Sequence, residues 1–413
     1  MATQILQQPL FATAPVGQNL MFVVYNEAVV NSTTVSNIKY IAEVHISSNL
    51  PPNTSTTDDI VGTFKTVPNA AGSGMFDLSP IIENFVSADN IATRGSDYKL
   101  GIPNPGVDIP IHIIDKISGA KNTAVFVVVK FRTQYTGSDG NIYITPGIIT
   151  DQYFIFNGYL KQTDPLELEF SNYGYNISRF MMSALGNDFF SNAPITQNAN
   201  IKDYGTLPVL VSSKIYRFTL TYENSELSLL DSEIVLYNTD NGGFPSNNGS
   251  VKSRILFFGC FPGNLQNWSV KFNALVSAGT IEGGRIKVTV ESLPPGGFPA
   301  QISETYFINV NCPKLKGYEP IRLAWLNQWG TWDYYTFNMK STKTISTKGS
   351  TYQQLEGTWN ENTHRIYGHK GGKKTFRVNA TEKITMNTDF ISEQESEWFE
   401  DLINSPEVYI LKE

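Results

Sequence analysis

The chain has 413 residues, more than the roughly 100–200 residues of one compact domain, so two to four domains are expected. It carries 31 Lys and Arg against 38 Asp and Glu, a net charge of −7, and only 17% of its residues are charged, below the ~25% of a typical soluble domain. A hydrophobic fraction of 41% with 12% aromatic residues excludes a disordered chain. The acidic balance disfavours a general nucleic-acid binder.

Residues 1–160 are predicted to form a β-sandwich with one short helix. Four β-branched and aromatic runs, each bounded by Pro, Gly, Asn or Ser, are typical of strands; they span 19–26, 38–46, 123–135 and 152–156. Asp139-Gly140 between two β-rich runs predicts a hairpin. Ser79 as a helix N-cap, followed by Pro80, predicts the helix.

Residues 161–310 are predicted to form a connector and a second antiparallel β-sandwich. The apolar periodicity between 166 and 204 is poor, which is typical of a loop packed on its own domain or, less often, of an extended arm. Strands are then predicted at 214–222, 232–237, 254–259, 268–272, 285–291 and 304–310. The period-two alternation of 214–222 and 285–291 indicates sheets with one buried face.

Residues 311–413 are predicted to form an aromatic-rich β domain with a helix at 393–404. Ser392 and Glu395 have the spacing of a capping box, and apolar side chains follow along one helix face. The segment 311–391 has 12 Lys and Arg against 6 Asp and Glu, whereas 392–413 has one Lys against 7 Asp and Glu. These opposite charges predict an interface between the two segments of neighbouring copies.

The candidate site residues of this region fall into two groups. The aromatic group is predicted to lie at an interface or in packing, since interfaces are enriched in aromatic residues and depleted of charge; it consists of Trp325, Trp329, Trp332, Tyr335, Trp398 and Phe399. The charged group is predicted to pair across an interface; it consists of Lys370, Lys373, Lys374, Arg377, Glu393, Glu397 and Asp401.

No motif predicts a cofactor, a metal or a catalytic centre. The run 368–375 lacks the spacing of a phosphate-binding loop and leads into a strand, so a hairpin tip with solvated lysines is expected. His45 and His112 fall in strand-like runs, and His364 and His369 lack the further ligands of a zinc site. The carboxylate of Asp333, between two aromatic residues, is the first to consider if a glycan is bound.

Two further features concern location. Cys260 and Cys312 are expected to be buried free thiols rather than a disulfide. The N-terminus has neither the basic segment nor the apolar segment of a signal peptide, and no run approaches the ~20 apolar residues that span a bilayer. We therefore expect synthesis and assembly in the cytoplasm, without a membrane partner.

Two segments resemble virion structural proteins of tailed phages that infect Bacteroidetes, crAss-like phages among them. They are 319–337 (EPIRLAWLNQWGTWDYYTF) and 387–409 (NTDFISEQESEWFEDLINSPEVY). Shorter stretches of the first domain, 74–86 (GMFDLSPIIENFV) and 153–158 (YFIFNG), look like elements of the same proteins. The resemblance implies a place in the virion and defines no catalytic residues.

The sequence therefore predicts an all-β chain of two or three antiparallel β-sandwich domains in tandem with a short C-terminal helix. The expected function is that of a non-enzymatic structural component of a tailed-phage virion, in the neck, tail or baseplate. Its expected partners are further copies in a ring and other virion proteins. The alternative is a receptor- or glycan-binding tail appendage, in which exposed rings of Trp325, Trp329, Trp332 and Tyr335 stack on sugars.

Overall fold

The all-β class is confirmed, because strands account for 49% of the structure and helices for 13%. The structure is a computed structural model that describes residues 2–47, 60–93, 108–159, 177–182, 186–211, 215–238, 255–293, 297–311, 317–360, 362–366 and 371–411. Among these residues no helix is both long enough and apolar enough to cross a membrane.

The first part of the chain, up to residue 159, forms two sheets and a two-stranded pair, and it contributes one strand to a sheet of the second part. Its strands and helices are β1 (Gln4–Gln7), β2 (Thr13–Pro15), β3 (Met21–Tyr25), α1 (Glu27–Val30), β4 (Ser36–Ser47), β5 (Ile60–Thr66), β6 (Gly74–Asp77), α2 (Ser79–Ile82), β7 (Ile91–Thr93), β8 (Asp108–Pro110), β9 (Ile117–Gly119), β10 (Ala124–Thr136), β11 (Ile142–Ile144), β12 (Ile148–Ile149) and β13 (Tyr153–Phe156). One sheet has the order β1-β3-β6 and the other β2-β13-β10-β4-β5. A first core lies between them.

The predicted hairpin and helix are present in this part. Strands β10 and β11 pair antiparallel across a turn in which Gly140 has a positive φ of 77°. Helix α2 has Pro80 in its first turn, but the Oδ1 atom of Asp77, rather than Ser79, accepts hydrogen bonds at its start. Strand β2 pairs parallel with β13, so the sheet is not wholly antiparallel.

The second part of the chain forms two more sheets and a helical pair. Its elements are β14 (Met181–Met182), β15 (Thr196–Ala199), β16 (Leu207–Val211), β17 (Ile215–Glu223), β18 (Leu229–Asn238), β19 (Ile255–Phe258), α3 (Pro262–Trp268), α4 (Val270–Ser277), β20 (Arg285–Ser292), β21 (Ala300–Gln301) and β22 (Tyr306–Val310). The sheets have the orders β14-β16-β19-β9 and β15-β22-β20-β17-β18. A second core lies between them and α3 and α4.

The prediction of a strand at 268–272 is wrong. This segment ends α3 and begins α4, and the side chain of Ser269 accepts a hydrogen bond from the backbone N–H of Phe272 as a helix N-cap. The alternation W-S-V-K-F matches a strand, but a serine cap overrides a pattern this short. The predicted connector at 166–204 packs on the main structure where it is described, since Phe180, Phe189 and Phe190 are buried.

The remaining elements include the aromatic segment and the C-terminal helix. They are β23 (Ile321–Leu326), β24 (Trp332–Phe337), β25 (Thr342–Gln354), β26 (Thr358–Asn360), β27 (Thr363–Arg365), β28 (Gly372–Thr385), α5 (Glu393–Asn404) and β29 (Val408–Leu411). Helix α5 has the predicted bounds, and both hydrogen bonds of its capping box are formed between Ser392 and Glu395. Strands β24, β23 and β29 form a sheet in that order.

A central core is shared by the first and the second part of the chain. In β10, Val127 belongs to the first core and its neighbour Phe126 to the central core. In β19, Phe258 belongs to the second core and its neighbour Phe257 to the central core. Because successive side chains of a strand point to opposite faces, these strands are covered on both faces.

The chain divides into two compact units, and the predicted domains 1–160, 161–310 and 311–413 remain a prediction. The main unit comprises 1–313, 322–336 and 392–413, and the ribbon unit comprises 314–321 and 337–391. The aromatic segment belongs to the main unit, since it contributes Trp329, Trp332 and Tyr334 to the central core.

The turn between β23 and β24 generates a stability prediction. Gly330 has a φ of +74°, and a Cβ atom there would lie 1.7 Å from the backbone oxygen of Asn157. Gly140 has a φ of +77°, but no atom lies within 4 Å of its Cβ position. We expect Gly140→Ala to cost about 1 kcal/mol from the backbone conformation alone and Gly330→Ala to cost about 3 kcal/mol or more.

Chemical denaturation of the two variants measures this difference. Equal losses of stability would contradict the close approach of Gly330 to Asn157.

Candidate functional site

The predicted aromatic residues form a cluster inside the main unit. Trp325, Trp329, Trp332 and Trp398 are buried, and Tyr335 and Phe399 are half-buried. The rings of Trp325 and Trp398 lie 4.8 Å apart, as do those of Tyr335 and Phe399. The four tryptophans therefore pack within one chain, which leaves them no exposed ring for an interface or a stacked sugar.

A buried carboxylate lies at the centre of this cluster. Asp333 Oδ1 accepts hydrogen bonds from Ser191 Oγ at 2.6 Å and Asn327 Nδ2 at 3.0 Å, and Oδ2 accepts one from Trp398 Nε1 at 2.6 Å. Burial raises the pKa of Asp333 to about 7, which outweighs the opposite effect of these hydrogen bonds, and the nearby Asp401 also raises it.

The hydrogen-bond network continues from this carboxylate to helix α5. Asn192 Nδ2 donates to Gln328 Oε1 at 2.9 Å and to Asp401 Oδ2 at 3.0 Å. Asn192 Oδ1 accepts from Trp329 Nε1 at 3.1 Å. The network thus joins the segment after β14, the turn between β23 and β24, and α5.

The prediction that Asp401 is part of a surface charge pairing is wrong, because the side chain is fully buried. It lies one helical turn from Trp398, on the face that packs into the main unit, so its carboxylate is held by the network. Glu393 and Glu397 are exposed on α5, and Lys373, Lys374 and Arg377 are exposed on β28. Lys370 lies outside the described residues.

Sequence reasoning did not identify the polar partners of the cluster. Ser191 and Asn192 lie in the poorly periodic region that gave no motif. Asn327 and Gly330 have the spacing of a turn. The Oδ1 atom of Asn327 accepts hydrogen bonds from the backbone N–H groups of Trp329 and Thr331. That turn signal is the only one in the sequence that points to these partners.

A second buried polar group lies beside the aromatic cluster. Arg322 is buried and donates to Asp203 Oδ2 at 3.2 Å, to the Tyr204 carbonyl oxygen at 2.6 Å and to Thr336 Oγ1 at 2.7 Å. Breaking such a buried pair is costly because it leaves an uncompensated charge. The group holds β23 and β24 against the loop before β16.

The other predicted candidates for chemistry do not come together. His45 is buried in β4, whereas His112 lies in a 3₁₀ turn rather than a strand, and burial lowers its pKa to about 4. Among the described residues no group of three His, Cys, Asp or Glu could hold a metal ion. Cys260 is a buried free thiol, as predicted, whereas Cys312 and His369 lie outside the described residues.

A cleft of about 600 Å³ opens beside the aromatic sheet. Apolar and aromatic side chains dominate its walls, Trp332, Tyr334 and Tyr409 among them, with His112 at one side. The described residues that line it include no Asp or Glu.

The ribbon unit is the part of the structure with the most exposed strand surface. Strands β25 and β28 pair antiparallel over their whole length, from Thr342 opposite Thr385 to Gln354 opposite Gly372. All their side chains are exposed except those of Gln354 and Ile384, which are half-buried. A strand of this length extends for about 44 Å. The ribbon exposes both faces.

The ribbon also exposes large apolar side chains. Phe376 on β28 is 78% exposed, and Ile345 on β25 and Val378 on β28 are exposed as well. Trp359 in β26 is the exposed tryptophan of the described residues, although the sequence analysis did not select it. An isolated two-stranded ribbon is at best marginally stable in water. Because these apolar side chains are exposed, a partner molecule can bury them.

No protein-family model and no curated protein matches the sequence. Among solved structures, the chain is similar to one described as "Structures of Clostridium thermocellum CbhA fibronectin(III)-like modules". The two share 9% sequence identity with a TM-score of 0.15, over 77% of this chain and 98% of that chain. A TM-score this low carries no argument about fold or function.

Asp333 generates a pH prediction. Because its pKa is raised in the folded state, the unfolded chain releases this proton at lower pH than the folded chain does. The contribution of this group to the free energy of unfolding is fully present below pH ~4 and is lost as pH rises to about 7. We expect Asp333→Asn to have a lower free energy of unfolding than the wild type, because an N–H of the new amide would face another donor. This difference in free energy should narrow as pH rises from ~4 to about 7, because only the wild type loses the contribution of Asp333.

Thermal melts at a series of pH values measure this difference, with Asp151→Asn at an exposed carboxylate as the control. A difference that widens as pH rises would show that Asp333 is stabilised in its ionised form.

Proposed function

We propose that this chain is a structural subunit of a tailed-phage virion, placed in the neck, tail or baseplate, which joins copies of itself into a ring. The observation that carries the proposal is the ribbon, because β25 and β28 expose nearly every side chain they have. The resemblance of 319–337 and 387–409 to virion proteins supports the same reading.

The physical argument starts from what a two-stranded ribbon lacks. Sheets gain stability by burying one face, and a ribbon of two strands needs a third strand, a helix or another molecule to do so. Its exposed Phe376, Ile345 and Val378 are apolar surface that costs free energy in water. Docking on a neighbouring subunit removes that surface from water and adds order to both chains.

The alternative of a glycan-binding appendage loses three of its four proposed residues to burial, whereas the fourth, Tyr335, is half-buried. A sugar platform needs open rings, and Trp325, Trp329 and Trp332 are buried. The location is proposed to be the virion, after assembly in the host cytoplasm, with other virion proteins as further partners.

The apolar surface of the ribbon generates an assembly prediction. Phe376→Ser removes a large exposed ring that a neighbour would bury, and we expect the association constant of the wild-type oligomer to fall by about tenfold or more. Sedimentation velocity over a range of protein concentrations measures this constant. The matched control is Phe298→Ser in the main unit, where the ring is 92% exposed and assembly should be unchanged.

Two results would contradict the proposal. One is a wild-type chain that stays monomeric at all concentrations and is missing from purified phage particles by mass spectrometry. The other is equal assembly of the wild type and Phe376→Ser together with binding of a glycan array by the exposed Trp359.

A further inference from the structure

The two faces of the ribbon differ in charge. Residues directly opposite each other in the register share a face, and successive residues alternate except at one bulge. The bulge lies opposite Ser350 and Thr351, where Phe376 is an extra residue on β28, so that Lys374 and Arg377 share a face. One face carries Lys348, Lys374, Arg377 and Lys383, together with hydroxyl and amide side chains and no carboxylate. We call these four cations the basic face. The opposite face carries Ile345, Val378 and Ala380 and an ion pair between Lys343 and Glu382 at 2.6 Å.

Helix α5 presents an exposed surface of the opposite charge. Glu393, Glu397 and Glu400 are exposed and recur at i, i+4 and i+7, so they form one stripe along the helix. We call them the acidic stripe. The helix itself contains no Lys or Arg. Within the described part of the chain, neither the acidic stripe nor the basic face has an ion-pair partner.

Each surface is unfavourable alone. Like charges at i, i+3 and i, i+4 destabilise a helix by about 0.2–0.5 kcal/mol per pair, and Glu400 lies near the negative end of the helix dipole. On the ribbon, Lys348 and Arg377 are diagonal neighbours on one face and repel each other. An opposite charge brought by another molecule relieves both surfaces.

The two surfaces also match in spacing. On the basic face, Lys374 lies opposite Tyr352, Arg377 lies opposite Ser350, and Lys348 is the next residue of that face on β25. The steps between these three positions along the strand are about 7 Å. The carboxylates of the acidic stripe are separated by about 6 Å and 4.5 Å along the helix axis. Flexible Lys and Arg side chains span the difference, so three cations meet three anions.

We infer that the basic face of the ribbon binds the acidic stripe of α5 in a second copy of this chain. The inference rests on the proposed assembly and names the contact through which copies join. Such a contact uses two different surfaces of each subunit, so it is heterologous and closes a ring when the rotation permits.

The charges of the two units favour a protein partner over nucleic acid. The ribbon unit has 11 Lys and Arg against 5 Asp and Glu, a net charge of +6, whereas the main unit has 20 against 33, a net charge of −13. A polyanion such as DNA is repelled by the main unit, while another copy of the main unit attracts the ribbon.

A charge-swap experiment on the full chain tests the contact. One variant is Lys374→Glu with Arg377→Glu, and the other is Glu393→Lys with Glu397→Lys. By sedimentation velocity in 0.15 M salt, we expect each variant alone to associate about tenfold or more weakly than the wild type. An equal mixture regains association, because the acidic ribbon of one variant then meets the basic helix of the other. Assembly of the wild type should weaken at 0.5 M salt.

Neighbouring lysines supply the matched control. Lys373 and Lys374 are adjacent on β28 and point to opposite faces. Lys373→Glu therefore changes the net charge as much as Lys374→Glu does, but on the other face of the ribbon. We expect only Lys374→Glu to weaken association. The neutral variants Lys374→Gln and Glu397→Gln, at exposed positions, keep the test valid if a charge reversal impairs folding, which circular dichroism detects.

The outcomes separate this inference from the proposed function. A wild type that never associates ends the proposed function. A wild type that associates, with both double variants associating equally well and the mixture no better, overturns the inference alone. Binding of a duplex DNA of about 30 base pairs that Lys374→Glu with Arg377→Glu abolishes, without any change in association, assigns the basic face to nucleic acid and also overturns it.

Discussion

The main unit depends on the requirement that a buried carboxylate be satisfied. An ionisable group taken out of water without partners costs several kcal/mol, and Asp333 meets this requirement with donors from three separate segments of the chain: Ser191, Asn327 and Trp398. Ser191 comes from a segment with little regular structure, and Trp398 comes from the helix that follows the ribbon in sequence. The carboxylate therefore holds together two segments of the main unit, 322–336 and 392–413, which flank the ribbon in sequence.

The strands that separate the cores explain why domain boundaries were hard to place from sequence. Runs such as ILFF in β19 and YFIF in β13 are buried on both faces, and such runs mark a strand between two cores rather than the wall of one sandwich. Local signals were more reliable: the capping box gave the bounds of α5, and Asp139-Gly140 gave a hairpin. The donors to Asp333 could not be predicted, because they are brought together by packing between segments far apart in sequence.

The aromatic residues illustrate the same limit at the level of function. Composition alone cannot distinguish rings that pack inside a chain from rings that pack between chains, because both remove the same kind of surface from water. Burial distinguishes them here: Trp325 and Trp398 are fully buried in one chain, whereas Phe376 and Trp359 are exposed. Exposed aromatic side chains thus also occur in a basic, Thr- and Ser-rich segment that has no dense aromatic motif.

The arrangement of the ribbon separates two contributions to binding. Apolar side chains such as Ile345 and Val378 supply affinity that is non-directional and insensitive to salt, whereas charges set orientation and the rate of encounter. On this ribbon Ile345 and Val378 share one face with the Lys343–Glu382 ion pair, whereas Lys348 and Arg377 lie on the other face of the same two strands. In the proposed assembly, a ribbon inserted between two neighbours would bury its apolar side chains against one while its cations fix the register on the other. The proposed ring would need both, because affinity without register permits slippage along a flat strand pair.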